Sequence, residues 1–260
     1  QTTVAGSAEV RFYAGQQITL GAGFSVTAGA GTFVAEIRPC TGQRGSAGFQ
    51  QTSTNSYTYD ANGNLRTDPN KGITIDYNHL DLPRLITFTD GRRIEFTYDA
   101  TGNLLTRATF NSGSNIEVEK RDYINGVEYV NNTIESIYHG EGRIYYTNGS
   151  SPRYEYFTKD HLGNTRLVYA DLDGSGDINS ATEILQESHY YPYGMQQQGP
   201  WQEAANYGMA YGYNGIEEVN PAGFELGVNM AFYRTLDPAL GQWWQVDPKA
   251  ELYTNMSPYC

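Results

Sequence analysis

One nine-residue unit occurs twice with little change. Tyr57-Thr58-Tyr59-Asp60-Ala61-Asn62-Gly63-Asn64-Leu65 returns as Phe96-Thr97-Tyr98-Asp99-Ala100-Thr101-Gly102-Asn103-Leu104, an offset of 39 residues with seven of nine positions identical. Tyr156-Phe157-Thr158-Lys159-Asp160-His161-Leu162-Gly163-Asn164-Thr165 is a looser third copy. In each, aromatic residues alternate with threonine along a strand, Asp-x-x-Gly makes the turn, and the residues after Asn open the return strand. Glycine supplies the positive φ such a turn needs. A hairpin of this kind buries apolar surface only by pairing with the next, so tandem copies specify a continuous sheet that spirals or curls.

Further period-two segments fill the spaces between copies: Gly72–Tyr77, Arg93–Tyr98, Arg143–Tyr146, Tyr154–Phe157 and Arg166–Tyr169. With 22 tyrosines and 29 glycines against four methionines, the composition favours pleated strands and tight turns over helical bundles. The expected class is all-β, with antiparallel hairpin repeats spiralling into a partial shell or curled sheet. A short helix near Trp201 to Tyr207 is the one exception.

The N-terminal stretch has a different texture. Ile18-Thr19-Leu20-Gly21-Ala22-Gly23-Phe24 and Gly31-Thr32-Phe33-Val34-Ala35-Glu36-Ile37 are short apolar alternations broken by glycine. They predict short Gly-rich strands stacked as rungs or hairpins. A polar run from Thr41 to Ser56 reads as a linker. The organisation is therefore a short-strand module over 1–41, a linker over 42–56, hairpin repeats over 57–158 and a distinct region over 159–260.

A formal net charge of −12 works against nucleic acid and against an anionic membrane surface, since neither gains by releasing counterions here. No run approaches the ~18 consecutive apolar residues of a membrane span. A charged n-region followed by an apolar stretch is also missing, so any export signal was removed or lies upstream of Gln1. Cys40 and Cys260 match no zinc or redox spacing and decide nothing about compartment.

The Tyr-Asp-x-x-Gly units resemble YD repeats, and the last third resembles the RHS-repeat-associated core of Bacteroidota-type, polymorphic-toxin-like proteins. The landmarks run in order: Asp160-His161-Leu162-Gly163-Asn164-Thr165-Arg166, Tyr190-Tyr191-Pro192-Tyr193-Gly194-Met195, Tyr211-Gly212-Tyr213-Asn214-Gly215, then Phe232-Tyr233-Arg234-Thr235-Leu236-Asp237-Pro238-Ala239-Leu240-Gly241-Gln242-Trp243 and Val246-Asp247-Pro248. The likeness covers about residues 57 to 260. It implies a hollow β shell around a C-terminal toxin or effector, closed by the core motif. In several subfamilies it further implies self-cleavage just after the core by an aspartyl-protease-like pair. This sequence departs from the pattern at Gln242, where arginine is usual, and at Asn229-Met230-Ala231. It carries no second Asp-Pro-x-Gly element or cleavage junction.

By motif position Asp237 and Asp247 are the self-cleavage candidates, since two carboxylates held close can share one proton. Arg234 is the supporting residue, its planar fork suiting a carboxylate. The competing reading makes each aspartate the start of an Asp-Pro turn, where its side chain caps nearby backbone N–H groups.

The sharpest local motif is Asp171-Leu172-Asp173-Gly174-Ser175-Gly176-Asp177-Ile178-Asn179. Oxygen donors at positions one, three and five, glycine at six and an apolar residue at eight follow a calcium loop of the EF-hand kind. The ligand set is Asp171, Asp173, Ser175, Asp177 and Glu183, with Glu183 one place late and Thr182 at position twelve. A solvated Asp/Gly turn competes with Ca2+ binding here. If Ca2+ binds, it stiffens the insertion at 171–183 and does not catalyse.

Aromatic stripes such as Tyr145-Tyr146 and Tyr190-Tyr191-Tyr193 are cross-strand pairs or a sugar-stacking platform. His79, His139, His161 and His189 share no metal-ligand spacing. The expected function is a non-catalytic shell segment, secreted or at the bacterial cell surface, that encapsulates or presents a C-terminal effector or other polypeptide cargo. Secretion or surface components are further partners. The alternatives are an extracellular structural or adhesive protein and a single-turnover self-cleavage module.

Overall fold

The computed structural model describes residues 10–14, 33–37, 56–147, 151–197, 209–252 and 254–259. Most of the 42–56 linker, the Trp201–Tyr207 segment, Cys40 and Cys260 lie outside the described residues. Within the N-terminal module, β1 (Val10–Ala14) and β2 (Phe33–Ile37) pair in parallel, as stacked rungs do and a hairpin does not.

Thirteen strands form one antiparallel sheet: β3 (Thr58–Tyr59), β4 (Leu65–Asp68), β5 (Ile73–Tyr77), β6 (Pro83–Phe88), β7 (Arg93–Tyr98), β8 (Leu104–Phe110), β9 (Glu117–Ile124), β10 (Val127–Val130), β11 (Thr133–His139), β12 (Gly142–Tyr146), β13 (Pro152–Lys159), β14 (Thr165–Tyr169) and β15 (Ile184–Glu187). Spatial order equals chain order throughout. The sheet runs through residue 158 into β14 and β15 without a break. A second antiparallel meander contains β16 (Glu217–Val219), β17 (Val228–Met230), β18 (Thr235–Asp237) and β19 (Gln242–Trp243). Among the described residues, no helix is long and apolar enough to cross a membrane.

The three repeat copies fold alike. Asp60 Oδ1 accepts the backbone N–H of Asn62 and Asn64, both at 2.9 Å, while Oδ2 accepts the Asn64 side-chain amide at 3.0 Å. Asp99 does the same with Thr101 and Asn103. So does Asp160 with Leu162 and Asn164. The glycine N–H closes each turn onto the aspartate carbonyl, with φ of 87°, 94° and 82° at Gly63, Gly102 and Gly163. A fourth turn has this form without its sequence. Asn78 Oδ1 caps the N–H groups of Leu80 and Leu82, and Asp81 takes the glycine place at φ 58°. The strand register shifts on entering all four turns, so the bulge belongs to the repeat.

Alternation sets which face is inside. On β5 Ile73 and Ile75 are buried, and on β7 Ile94 and Phe96 are buried while Arg93 and Glu95 pair at 2.8 Å on the other face. These residues, with Leu65, Ile86 and Phe88, pack against Val219, Phe224, Leu226, Val228 and Trp244 of the C-terminal meander and its connections. The core thus lies between the first strands of the long sheet and the four-stranded one. From β8 onward the inward positions turn polar: Arg107, Glu128, Ser136, Arg143 and Glu155 are all buried.

The long sheet curls. One cavity of about 930 Å³ is bordered by Pro83 on β6, Tyr98 on β7, Tyr123 on β9, Tyr138 on β11, Phe157 on β13 and Thr165 on β14. Strands so far apart in a meander can border one space only if the sheet bends around it. Glu217, Met230 and Thr235 of the C-terminal meander close the cavity from the opposite side.

Candidate functional site

Two aspartate turns of the C-terminal meander carry the residues singled out by motif. Asp237 ends β18 and is fully buried. Its Oδ1 accepts the N–H of Ala239 at 3.0 Å and of Leu240 at 3.4 Å, and its Oδ2 accepts the Trp244 indole N–H at 3.3 Å. Lys71, from the β4–β5 turn, brings Nζ to 3.4 Å from Oδ2. Asp247 is half-buried, caps the N–H of Lys249 at 2.8 Å and pairs with Arg234 at 2.8 Å. Arg234 also lies over Trp243, 4.4 Å from the ring centroid. Burial pulls its guanidinium below the ordinary arginine range and Asp247 opposes that shift.

No hydrogen bond or ion pair joins Asp237 to Asp247 among the described residues. Asp237 instead acts as a like charge on Asp68, at the end of β4 and also buried. Asp68 is held above the usual carboxyl range by burial first and by Asp237 in part. Sequence reading missed Asp68 and Lys71. They lie in a different repeat from the motif, and only the docking of the two sheets brings them to Asp237.

The loop at 171–183 is closed by Ala170 N–H on the Glu183 carbonyl at 3.1 Å. One carboxylate oxygen from each of Asp171, Asp173 and Glu183 lies within 4.8 Å of the others. The offset of Glu183 is absorbed by a turn in which both Thr182 and Glu183 donate N–H to the Asn179 carbonyl. Glu183 is buried and accepts the N–H groups of Leu172 at 2.6 Å and Asn179 at 2.7 Å. Asp171 accepts those of Gly174, Ser175 and Gly176. Hydrogen bonding, led by the Ser175 hydroxyl, holds Asp173 below the usual carboxyl range. Ser175 and Asp177 bond each other through Oγ and backbone, and Asp177 stays outside the three-carboxylate group. An all-oxygen donor set on a tight loop suits Ca2+.

The floor of the cavity is ionic. Glu217 Oε1 accepts Arg107 at 2.6 Å and the Tyr123 hydroxyl at 2.8 Å. Glu128 accepts Arg121 at 2.8 Å and the Tyr211 hydroxyl at 2.6 Å. Burial, and then the like charge of Glu217, raises Glu128 above the usual carboxyl range. Of the four histidines, His189 has Nε2 at 2.8 Å from Glu187, and His139 accepts the Glu141 N–H through Nδ1 at 3.3 Å. The tyrosine stripes include a stacked pair across strands, Tyr156 and Tyr169, with ring centroids 5.7 Å apart.

No family model and no curated protein matches the sequence. Solved structures do match the fold. The crystal structure of TcdB2-TccC3 aligns at TM-score 0.53 and 20% identity over 73% of this chain. That of TcdB2-TccC3-TEV aligns at 0.53 and 19%, and that of TcdB2-TccC3 without its hypervariable C-terminal region at 0.55 and 18%. The likeness is one of fold. This chain spans about a tenth of the length of each of these structures.

Proposed function

We propose that this chain is the closing segment of a secreted or cell-surface RHS/YD-type β shell, which encloses or presents a C-terminal effector or other polypeptide. The observation that carries the reading is that one cavity is bordered by strands from β6 to β14 and closed by the C-terminal meander. A sheet that bends round a space has an inside, and a compact meander seated on that inside is a plug. The fold likeness to TcdB2-TccC3 supports the same assignment. At about 930 Å³ the cavity matches a small-ligand pocket and not a folded passenger, so room for cargo comes from wall beyond this segment.

On this reading Asp237 and Asp247 are structural, each with its own basic partner, and the chain is not a turnover enzyme. The three converging carboxylates at 171–183 support a role for one Ca2+ in stiffening the loop that leads from β14 to β15.

Imaging of the full-length protein by cryo-electron microscopy tests the proposal. We expect a closed wall with additional polypeptide density inside it, and protection of that polypeptide from added protease. An open sheet whose inward face is bare, with exposed aromatics such as Tyr154 and Tyr156 engaged in contacts between particles, would favour the adhesive alternative instead.

A further inference from the structure

Three charged side chains are shut into the apolar layer between the two sheets, where an ion pair gains little and desolvation costs much. They are Asp68, 1% exposed, Lys71, whose side chain is 6% exposed, and Asp237, 0% exposed. The core residues Ile73, Leu226, Val228 and Trp244 belong to the same packed layer. Lys71 Nζ donates to the Leu226 carbonyl at 3.0 Å, which fixes the amine 3.4 Å from Asp237 Oδ2.

The carboxyl of Asp237 is held asymmetrically. Oδ1 receives two main-chain N–H groups, from Ala239 and Leu240, the arrangement that stabilises charge developing on a carbonyl oxygen. Oδ2 is the oxygen beside the amine. Asp68 supplies a second carboxyl within electrostatic reach of both Lys71 and Asp237; burial raises it above the usual carboxyl range, while its Oδ1 accepts the N–H groups of Asn70 at 2.8 Å and Lys71 at 3.1 Å. Tyr57, which feels Asp68 and Asp237, and Glu218, which feels Lys71, are further titratable groups coupled to this cluster. A primary amine, a polarised carboxyl in contact with it, a second carboxyl close by to exchange protons and dry surroundings are the components of amide formation.

We propose that Lys71 and Asp237 are joined by an intramolecular amide bond, with Asp68 as the proton relay. A proton first passes from the Lys71 ammonium to the Asp237 carboxylate, leaving a neutral amine and a carboxylic acid. The amine lone pair then forms the Nζ–Cγ bond, and the carbonyl electron pair moves onto Oδ1, where the N–H groups of Ala239 and Leu240 stabilise it. Asp68 gives its proton to the Oδ2 hydroxyl and recovers one from the attacking nitrogen. As the pair on Oδ1 returns, the Cγ–Oδ2 bond breaks and one water leaves. Nothing is oxidised or reduced, and Asp68 ends as it began. The product ties the β4–β5 turn to β18 covalently, independently of whether the shell encloses a cargo.

Intact mass spectrometry of the purified, denatured full chain tests this, followed by tryptic mapping. The wild type is expected to be lighter than its sequence by one water and to yield a branched peptide uniting the segments around residues 71 and 237. Lys71→Arg keeps the cation but cannot form the amide and is expected at full mass. Asp68→Asn is expected at full mass with the β-sheet circular dichroism of the wild type. Folded wild-type protein at full mass would overturn the proposal, and that measurement needs no variant. Water loss that persists in Lys71→Arg would overturn it too, because it would mark a succinimide at an aspartate. A cross-link that still forms in Asp68→Asn would remove Asp68 from the relay.

Discussion

Arg107 on β8 and Glu217 on β16 meet at 2.6 Å in the interior, with side chains 6% and 7% exposed. This contact marks the place where the interface between the two sheets changes from apolar to ionic. Before it, Ile73, Ile75, Ile86 and Ile94 bind the C-terminal meander through dispersion and water exclusion. At and beyond it, charge and hydroxyl partners take over. Arg107 Nε has no hydrogen-bond partner among the described residues, so the pair is incompletely satisfied and sensitive to loss of either member.

Replacing Glu217 with Gln removes the nearer and more buried of the two carboxylates paired with Arg107, the other being Glu119 at 3.6 Å, and is expected to cost about 3–5 kcal/mol. The double variant Arg107→Met, Glu217→Leu is expected to recover most of that loss, because two apolar groups desolvate cheaply. Urea denaturation midpoints of the two variants measure the difference.

The repeat glycines separate strain from crowding. Gly102 sits at φ 94° with the nearest atom to an added Cβ at 3.4 Å, so Gly102→Ala is expected to cost the ~1–2 kcal/mol of a left-handed residue. At Gly63 the added Cβ would also meet Val246 Cγ2 at 2.9 Å and the Tyr259 hydroxyl at 3.1 Å. Gly63→Ala is therefore expected to lower the melting temperature by more than Gly102→Ala, despite equivalent places in the repeat.

Calcium is expected to raise the melting temperature in a concentration-dependent way, by about 2.7 kcal/mol of stability at a hundredfold excess over Kd. Glu183→Gln and Asp171→Asn are expected to abolish the effect, whereas Asp177→Asn, outside the carboxylate group, weakens it less. Calorimetric titration of the calcium-stripped protein provides the check. An unchanged melting curve with millimolar calcium would reduce the loop to a hydrogen-bonded turn.

Stability is expected to peak in mildly acidic solution. Asp68, Glu128 and Glu218 have carboxyl groups raised above their ordinary values of 3.8 and 4.5, each chiefly by burial. The folded state then holds more protons than the unfolded one, so their contribution is present below the unfolded value and is lost as pH rises through the folded value. Asp90, Asp99, Asp160 and Asp173, held by hydrogen bonds in surface turns, are shifted the other way, and their contribution is lost as pH falls below 3.8. Tyr190, pushed up to about 12 by burial, adds a loss at strongly alkaline pH. Denaturation midpoints from pH 3 to 11 would trace this curve, and a midpoint rising steadily from pH 5 to 8 would contradict it.

Much of the long sheet was legible because its signals are local. The strand candidates at 72–77, 93–98 and 166–169 are observed as β5, β7 and β14, each bounded by turn residues next to it in sequence. The turn at Asn78 escaped notice because Asn stands for Asp and Asp81 for Gly, although side-chain capping and positive φ are preserved. The surroundings of Asp237 were illegible for a different reason. Motif position places Asp247 beside it in sequence, but its buried ionic partner Lys71 arrives from the far side of the core, and no periodicity records that meeting.

A sheet whose spatial order repeats its chain order can be assembled like a wall laid course by course. Each new strand finds its template in the one just placed, so little loop entropy opposes growth and no finished part must reopen. The outermost strands of the sheet among the described residues, β3 with two residues and β15 with four, are too short to recruit foreign strands readily. The long return of β16 to β19 across the first strands of that wall is then the step with the greatest loop closure, since it joins residues far apart in the chain.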